Sequence, residues 1–567
     1  MGNSHEKSNI IALLKACSKE KNLCKGSKIH ADIMGNAMLE NDVHVGSVLV
    51  NMYAKCGAIK KAQEVFNALP TRDVVSWTSL IGGYATHGLE KEALSGFELM
   101  KGEGVSPDSI TFVYVLKACG NLGLVDKGQE LQAEIARQGW FRKNTLVGNV
   151  LIEMYAKCAA ISKACEVFNE LLARGVDTWN VLLGGYIQHD YGEEALCCFE
   201  RMQHDGLIPD VGTYVFVLKG CGSLLSLDKG RQIHARIASE GLIERHSSVG
   251  NVLIDMYAKC GAPEEAQKVF HELPVHDLIS WTTLITGYMQ HGCGQEALNC
   301  YEQLLQEGLF LDAVALACIF KACGFMVAIG KGQEIHARIV GDGWVEKHVL
   351  VGNALLDMYG KCGAVTKANE VFNKLGMKDT VSWNAILAGY AQIGDGQKAL
   401  ESFRQMQCEG FSSDTITCVC ILKACGSNID LDEKALEIHA GIVGGRLEEN
   451  MLVNNVLIDT YAKHGAFDKA KYIFDKLSVH DVVTWNALIS GYVQYGHHEE
   501  ALGCFELMQC KGTPAPDVVT YICVLKSCSS LRACHKGQEI HADISKEQSI
   551  EKDLFVGNAL MDMYVKC

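Results

Sequence analysis

A short polar side chain recurs in this sequence at a fixed distance before an aspartate. At a spacing of 30 or 31 residues the pairs are Thr78 with Asp108, Asn180 with Asp210, Thr282 with Asp312, Asn384 with Asp414, and Asn486 with Asp517. At a spacing of 26 residues they are Ser47 with Asp73, Asn251 with Asp277, Asn353 with Asp379, and Asn455 with Asp481. Asn149 is followed at that spacing by Gly175, and Asn558 occupies the same place near the end of the sequence.

These pairs are suited to recognition by hydrogen bonds. A short amide or hydroxyl beside a fixed carboxylate offers directional donors and acceptors, which can distinguish the edges of nucleic-acid bases. The aspartate alone has a simpler interpretation, because Asp is a favoured N-cap residue of helices. Capping does not explain why the earlier position is restricted to Asn and Thr in every pair with the longer spacing. The pattern therefore favours a recognition pair.

The polar member of each pair lies in the first helix of a predicted helical hairpin. In the hairpin that starts at Val74, an apolar stripe of Trp77, Leu80, Ile81 and Tyr84 has helical spacing. Positions 2, 5, 9 and 13 of that helix fall on the opposite face. In a stack of hairpins the first helices line the concave side, so these positions are predicted to line a groove.

The hairpins repeat as triplets of about 36, 31 and 35 residues, with a period of 102. Triplets begin at Lys7, Ser109, Val211, Ala313 and Thr415, and a last long hairpin covers 518–553. A period of this kind predicts an all-α fold, here a right-handed α-solenoid superhelix of about 33 helices. We expect an N-terminal stub at 1–6, sixteen hairpins over 7–553, and the first helix of a truncated hairpin at 554–567.

The three hairpin lengths resemble the long, short and standard motifs of plant pentatricopeptide repeat (PPR) proteins of the mixed-motif (PLS) class. The resemblance rests on segments such as Val75–Ile81, Gly148–Ile152 and Gly332–Ala337, and it extends over residues 7 to 567. Tetratricopeptide repeats share the Trp, Ala and Phe skeleton but have a uniform length of 34 residues. The triplet of lengths argues against them.

The resemblance implies that single-stranded RNA binds at one nucleotide per motif. The fifth and last residues of a motif would address the base, with Thr and Asp preferring guanine and Asn and Asp preferring uracil. Ser47 with Asp73 would prefer guanine, and Asn149 with Gly175 a pyrimidine. The long motifs have the aliphatic residues Val113, Val215, Ala317, Val419 and Ile522 at position 5, and these would act as spacers. The expected site, 5′ to 3′, is N-G-G-N-Y-U-N-U-G-N-U-U-N-U-U-N, followed by a pyrimidine if Asn558 contacts a base.

Two further sets of residues are candidates for RNA contacts. By resemblance, the aliphatic residue at position 2 would form a wedge between bases, as Val75, Ile279, Val381 and Val483. Asp177 departs from this pattern in the second standard motif. Lysines at position 13 of the short motifs could meet phosphates, namely Lys55, Lys157, Lys259, Lys361 and Lys463. The alternative is that they are solvated lysines at helix C-termini, where a positive charge is favourable.

The composition offers no sign of an enzyme or a cofactor site. The 25 cysteines recur mostly at fixed motif positions without a Cys-x-x-Cys pair, which indicates buried reduced thiols rather than metal ligands. The recurring His30, His234, His336, His439 and His541 are too few per motif for a zinc site. The net charge of −15 is unusual for a nucleic-acid binder. However, acidic pairs such as Glu193-Glu194 lie on the second helices, away from the predicted groove.

The sequence therefore predicts sequence-specific recognition of single-stranded RNA without catalysis. By resemblance, the chain would be the targeting part of an organellar cytidine-to-uridine editing factor, working with accessory proteins or a deaminase supplied in trans. The alternatives are a protein-binding scaffold and an RNA-binding factor for organellar splicing or stability. The resemblance places the protein in mitochondria or chloroplasts, although Met1 to Glu6 shows no transit segment. No membrane span is expected, and we interpret the chain as a fragment.

Overall fold

The hairpin that starts at Val74 shows how the sequence produces its helices. Asp73 accepts the backbone N–H of Ser76 and caps the helix Val74–Thr86, in which the predicted apolar stripe is buried. Gly88 ends the turn with a φ of 74°, a left-handed conformation that suits glycine. The second helix, Glu90–Gly102, buries Ala93, Phe97 and Met100 against the first. Each large apolar side chain buried in this way contributes roughly 1.5–3 kcal/mol.

A computed structural model describes residues 2–35, 43–139, 144–309, 311–426, 450–512, 514–546, 550 and 552–567. In chain order its helices are α1 (Gly2–Glu20), α2 (Leu23–Gly35), α3 (Val43–Lys55), α4 (Ile59–Asn67), α5 (Val74–Thr86), α6 (Glu90–Gly102), α7 (Ser109–Leu122), α8 (Val125–Arg137), α9 (Thr145–Lys157), α10 (Ile161–Glu170), α11 (Val176–Gln188), α12 (Gly192–His204), α13 (Val211–Ser223), α14 (Leu227–Ser239), α15 (Leu242–Arg245), α16 (Ser247–Lys259) and α17 (Pro263–Glu272).

They continue as α18 (Leu278–Gln290), α19 (Gly294–Gln306), α20 (Ala313–Phe325), α21 (Ile329–Val340), α22 (Trp344–Lys347), α23 (Val349–Lys361), α24 (Val365–Lys374), α25 (Thr380–Ile393), α26 (Gly396–Cys408), α27 (Thr415–Gly426), α28 (Met451–Lys463), α29 (Phe467–Lys476), α30 (Val482–Gln494), α31 (His498–Lys511), α32 (Val518–Leu531), α33 (Cys534–Ile544) and α34 (Leu554–Lys566). The described part of the chain contains 34 helices and no strand, which confirms the predicted all-α repeat solenoid.

The helices that begin the predicted triplets start at Ser109, Val211, Ala313 and Thr415. Helix α1 begins at Gly2, within the segment predicted to be a stub. Most of the second half of the long motif that begins at Thr415, including His439, lies outside the described residues, as do parts of 518–553.

The chain divides into two compact units, Met1–Gly287 and Tyr288–Cys567. In the first unit, the first helices of successive hairpins pack in a row, from α1 on α3 through α5, α7, α9, α11 and α13 to α16. In the second unit the corresponding row runs from α20 on α23 through α25, α27, α28, α30 and α32 to α34. Neighbouring polar positions of these helices are thereby brought into register within each unit.

Small residues allow close approach between helices of these rows. A Cβ atom added to Gly185 would lie 2.8 Å from the Cβ of Ala156, and one added to Gly83 would lie 2.8 Å from the Cβ of Ala54. At Gly491, three periods of 102 residues after Gly185 and in the second unit, an added Cβ would overlap the Cβ of Ala462 in the same kind of contact. The glycine is therefore required by helix packing.

The recurring histidines and cysteines have structural partners. His30, His234 and His336 each share a hydrogen bond between Nδ1 and the hydroxyl of a tyrosine 23 residues later, at 2.8–2.9 Å. Cys56 donates its Sγ–H to the carbonyl of Cys17, and Cys260 to that of Cys221, in an arrangement that repeats with the period. Among the described residues, no group of His, Cys, Asp or Glu could hold a metal ion. No helix in the described ranges is both long and apolar enough to cross a membrane.

Candidate functional site

Hydrogen bonds join five of the predicted Asn and Asp pairs. The asparagine Nδ2 donates to the aspartate Oδ1 at 2.9–3.1 Å in Asn180 with Asp210, Asn353 with Asp379, Asn384 with Asp414, Asn455 with Asp481, and Asn486 with Asp517. Each aspartate also directly precedes the following helix and accepts the backbone N–H of the third residue of that helix, and the backbone is extended at Asp210, Asp379, Asp481 and Asp517. The aspartate thus both accepts from the asparagine and caps the following helix.

A third side chain completes each of these pairs. It is the serine or threonine at the third position of the following helix, and its hydroxyl lies 2.6–2.7 Å from the asparagine Oδ1. The five residues are Thr213, Ser382, Thr417, Thr484 and Thr520. Sequence reasoning missed this residue, although its hydroxyl recurs at a fixed spacing of three after the aspartate.

The resulting triad holds a charged carboxylate and a fixed amide. Burial would raise the pKa of Asp414, but hydrogen bonds from Thr417 and Asn384 outweigh this effect and hold that pKa below its ordinary value. The same balance lowers the pKa values of Asp210, Asp379, Asp481 and Asp517. An ionised carboxylate only accepts hydrogen bonds, so the asparagine Nδ2 must face it. The amide orientation follows directly from the charge.

The pairs with a hydroxyl at position 5 are arranged differently. The Thr78 hydroxyl lies 2.7 Å from that of Thr111, which is itself 2.7 Å from Asp108 Oδ1. Thr78 is therefore linked to Asp108 through an intermediate hydroxyl. Ser47 is fully buried, and its hydroxyl lies 2.8 Å from the backbone carbonyl oxygen of Val43 and 3.0 Å from Asp73 Oδ1. Of the two, Thr78 remains the better candidate for contacting a ligand.

Four other predicted positions lack a complete triad. Asn149 is opposite Gly175, and its Oδ1 is buried without a hydrogen-bond partner among the described residues. The Oδ1 of Asn251 is also buried and unpartnered there, because Ser280 donates instead to the backbone carbonyl of Asp277.

The remaining two positions differ from both. The Thr282 hydroxyl is buried without a described partner, while Asp312 caps α20 through the N–H of Ala315. Asn558 is exposed on α34.

An exposed aliphatic side chain lies at position 2 beside many of these triads. The four predicted wedge residues, Val75, Ile279, Val381 and Val483, are 49–63% exposed at the start of their helices. The structure adds a set that was not predicted, in which position 2 of long and short motifs is likewise apolar and exposed: Ile110, Leu146, Val314, Leu350, Ile416, Leu452, Val519 and Phe555. Apolar groups held in water at a repeated position can stack against flat ligands.

The five candidate phosphate-binding lysines lie at the C-terminal ends of their helices. Lys157, Lys259, Lys361 and Lys463 each form an ion pair of 2.7–2.9 Å with the Glu or Asp four residues earlier. Lys55 has Asn51, rather than an acidic residue, four residues before it. Such exposed pairs are worth only about 0–1 kcal/mol, so a phosphate can compete for the lysine. The neighbouring acids nevertheless reduce the local positive potential.

Gly175 provides a place where a triad can be completed. It precedes α11 with a φ of −88° and a ψ of 176°, close to the backbone of the aspartate caps, and a Cβ added there meets nothing within 4 Å. Gly175→Asp should therefore cap α11 and raise the free energy of unfolding by a few tenths to about 1 kcal/mol. Thermal unfolding of both proteins measures this, with Gly503→Asp as a control that fits sterically but lies in the middle of α31. Equal effects of the two substitutions would contradict the capping argument.

The PPR repeat family matches the chain at residues 72–121, 174–223, 378–427 and 480–530. Single PPR repeats match at 47–74, 149–176, 251–278, 279–309, 353–379 and 455–482. The chain belongs to the pentatricopeptide repeat family. Several boundaries of these PPR matches fall beside the closing residues described above, such as Asp73 and Asp379.

Full-length relatives support the same assignment. The pentatricopeptide repeat-containing protein At5g27110 of Arabidopsis thaliana is 31% identical over 96% of this PPR chain and 79% of its own length. At3g53360 of Arabidopsis thaliana, named mitochondrial, is 32% identical over 95% of this chain and 70% of its own length. Other relatives of similar identity are longer: this chain spans 63%, 62% and 57% of At4g39530, At3g03580 and the chloroplastic At3g63370, respectively.

Solved structures show the same fold. The crystal structure of PPR10 from maize aligns with 98% of this chain and 86% of its own, with a TM-score of 0.65 and 19% identity. PPR10 in complex with an 18-nt psaJ RNA element aligns with a TM-score of 0.50, at 18% identity. At these identities the PPR10 structures bear on the fold alone.

Proposed function

We propose that this PPR chain recognises single-stranded RNA in a sequence-specific manner, with each hairpin addressing one nucleotide. The observation that supports this most directly is the triad found at Asn180, Asn353, Asn384, Asn455 and Asn486. This rigid polar group of constant geometry recurs in five short and standard hairpins, four of which also carry an exposed aliphatic residue at position 2. Such a repeat matches a polymer whose units repeat in the same way. PPR10, which shares the fold, has been crystallised with an RNA element.

The proposal assigns different roles to the residues of each motif. Position 5 and the closing aspartate address the base edge, and the exposed position-2 residue packs between neighbouring bases. In the long motifs position 5 is aliphatic, as in Val113 and Ala317, which are both buried. These motifs offer no hydrogen bond to a base and act as spacers. The sixteen hairpins of the mixed-motif class then specify the site N-G-G-N-Y-U-N-U-G-N-U-U-N-U-U-N.

The biological role proposed here is that of the targeting part of an organellar RNA editing factor. Relatives named chloroplastic or mitochondrial include At3g63370 and At3g53360, which favours an organelle for this chain as well. In this proposal the deaminase activity comes from elsewhere, from a further part of a longer protein or from a partner in trans. An organellar role in RNA splicing or stability would use the same recognition.

Binding to matched RNAs tests the proposed function. The chain should bind a single-stranded RNA containing the expected site at least about tenfold more tightly than a scrambled RNA of equal composition, since each good base contact is worth about 1–3 kcal/mol. Fluorescence anisotropy at several salt concentrations measures both affinities. Equal affinity for the two RNAs would exclude sequence recognition. Failure to bind either RNA would leave the protein-binding scaffold as the better interpretation.

A further inference from the structure

The third residue of each triad has a single proton to donate, and its surroundings show where that proton goes. The Thr417 hydroxyl oxygen accepts the backbone N–H of Asp414 at 3.2 Å. It lies 2.6 Å from Asn384 Oδ1 and 2.9 Å from Asp414 Oδ1. Asp414 Oδ1 already accepts from the backbone of Thr417 and from Asn384 Nδ2. The shorter and less crowded contact is therefore the one to the amide oxygen.

The other four triads repeat this preference. The hydroxyls of Ser382, Thr484 and Thr520 lie 2.6 Å from the asparagine oxygen and 2.7–2.9 Å from the aspartate oxygen. Thr213 shows the same order, at 2.7 and 2.9 Å. The amide is consequently held at both ends, with Nδ2 directed to the carboxylate and Oδ1 to the hydroxyl.

This arrangement turns the amide oxygen away from a ligand. In Asn149 and Asn251, which lack the hydroxyl contact, the Oδ1 atom is still buried. Nδ2 has two N–H groups, and only one of them is needed by the aspartate. An approaching base therefore meets a hydrogen-bond donor. Uracil, like thymine in DNA, presents a carbonyl acceptor at the place where cytosine presents its N4 amino donor.

We propose that the hydroxyl at the third position of the following helix is a positioning residue that determines the preference for uracil over cytosine. This inference rests on the proposed RNA recognition and adds a third residue to each base-reading pair. With the hydroxyl present, the amide oxygen is occupied and the triad acts as a donor. Without it, only the hydrogen bond from Nδ2 to the aspartate holds the amide, so the donor is fixed less firmly and the preference for uracil over cytosine weakens.

The Thr78 motif shows the same hydroxyl working with the opposite polarity. Thr111 has its own proton directed to Asp108, at 2.7 Å, so the hydrogen bond between Thr78 and Thr111 must be donated by Thr78. The Thr78 oxygen is left as an acceptor for a base. Guanine carries an N2 amino donor that uracil lacks. The direction of the hydroxyl hydrogen bonds thus makes Asn at position 5 a donor to the base and Thr at position 5 an acceptor from it.

Substitution of Thr417 tests the inference. Thr417→Val keeps the shape of the side chain and the backbone N–H that donates to Asp414, but it removes the hydroxyl. We expect the ratio of affinities for U and C at the nucleotide assigned to Asn384 to fall about two- to tenfold, the range for one lost hydrogen bond. Thr417→Ser should retain the wild-type ratio, because Ser382 serves the same purpose beside Asn353. Circular dichroism confirms that each variant is folded.

The outcomes separate this inference from the proposed function. If the wild-type protein does not distinguish U from C, A or G at that nucleotide, the proposed base recognition is wrong. If it does so and Thr417→Val retains the same U-to-C ratio, the positioning role is wrong and the hydroxyl only supports the helix cap. A uniform loss of affinity for all four RNAs in Thr417→Val also contradicts the proposal. Thr484→Val, measured at the nucleotide assigned to Asn455, provides an independent repeat should Thr417→Val not fold.

Discussion

Asn384→Thr, with Asp414 unchanged, should shift the preference of its motif from uracil to guanine. The affinity for the original RNA should fall by roughly 5- to 150-fold, corresponding to one base contact of about 1–3 kcal/mol. It should recover when the single matching U is replaced by G. The physical reason is that the new threonine would find Thr417 and Asp414 placed as Thr78 finds Thr111 and Asp108. Binding of both proteins to a set of four RNAs, one for each base, measures the change.

Val419→Ala is the matched control for this switch. Val419 occupies position 5 of the next motif, a long one, and an aliphatic group offers no hydrogen bond to a base edge. We expect Val419→Ala to change the relative affinities for the four bases at its nucleotide by less than about twofold, because substitutions away from polar contacts usually have small effects. An Asn384→Thr protein that loses affinity equally for every RNA would show that the triad supports the fold and recognises nothing.

Gly491→Ala should destabilise the second unit by about 1–3 kcal/mol, the usual cost of overpacking. The added methyl group would overlap the Cβ of Ala462 and approach its backbone, and neither can move without shifting α28 against α30. Gly503→Ala is the control, because Gly503 lies in α31 with nothing within 4 Å of an added Cβ. There alanine should stabilise by roughly 0.5–1 kcal/mol through its higher helix propensity.

The two glycine substitutions should therefore change the free energy of unfolding in opposite directions. Thermal or urea unfolding, followed by circular dichroism, reports both under the same conditions. Repeat arrays can unfold in more than one step. For each variant, the midpoint of the unfolding step that shifts is therefore compared with the same step in the wild-type protein. Stabilisation by Gly491→Ala would mean that the helices of this pair are not in close contact.

The sequence predicted the helices and the pairing partners for one physical reason, which is repetition. Apolar residues at helical spacing identify each hairpin, and a fixed spacing from Asn384 to Asp414 or from Asn353 to Asp379 indicates residues brought together by stacking. The sequence left two interpretations of the aspartate open, also for a physical reason. A helix cap and a recognition group have the same sequence signature, and the structure shows that Asp414 is both acceptor for Asn384 and cap for α27.

Two features were not predicted from the sequence. The hydroxyl of Thr417 belongs to the next hairpin and looks like a common capping residue, so its contact with Asn384 becomes visible only when the hairpins are stacked. The acids beside the lysines were visible, since Asp459 precedes Lys463 by one helical turn. This ion pair lies along one helix, whereas the groove positions recur from hairpin to hairpin, so the periodic pattern of the lysines does not reveal it.

The sharing of each triad between consecutive hairpins determines where this protein can be cut and rejoined. A transplanted segment that ends at a motif boundary, such as Asp414, leaves its Asn384 dependent on whatever hydroxyl the recipient supplies. A segment running from residue 383 to residue 417 instead contains the whole hydrogen-bonded set. Modular reassembly of such arrays, in the laboratory or by recombination between genes, should therefore preserve specificity only when the joints fall three residues inside the following helix.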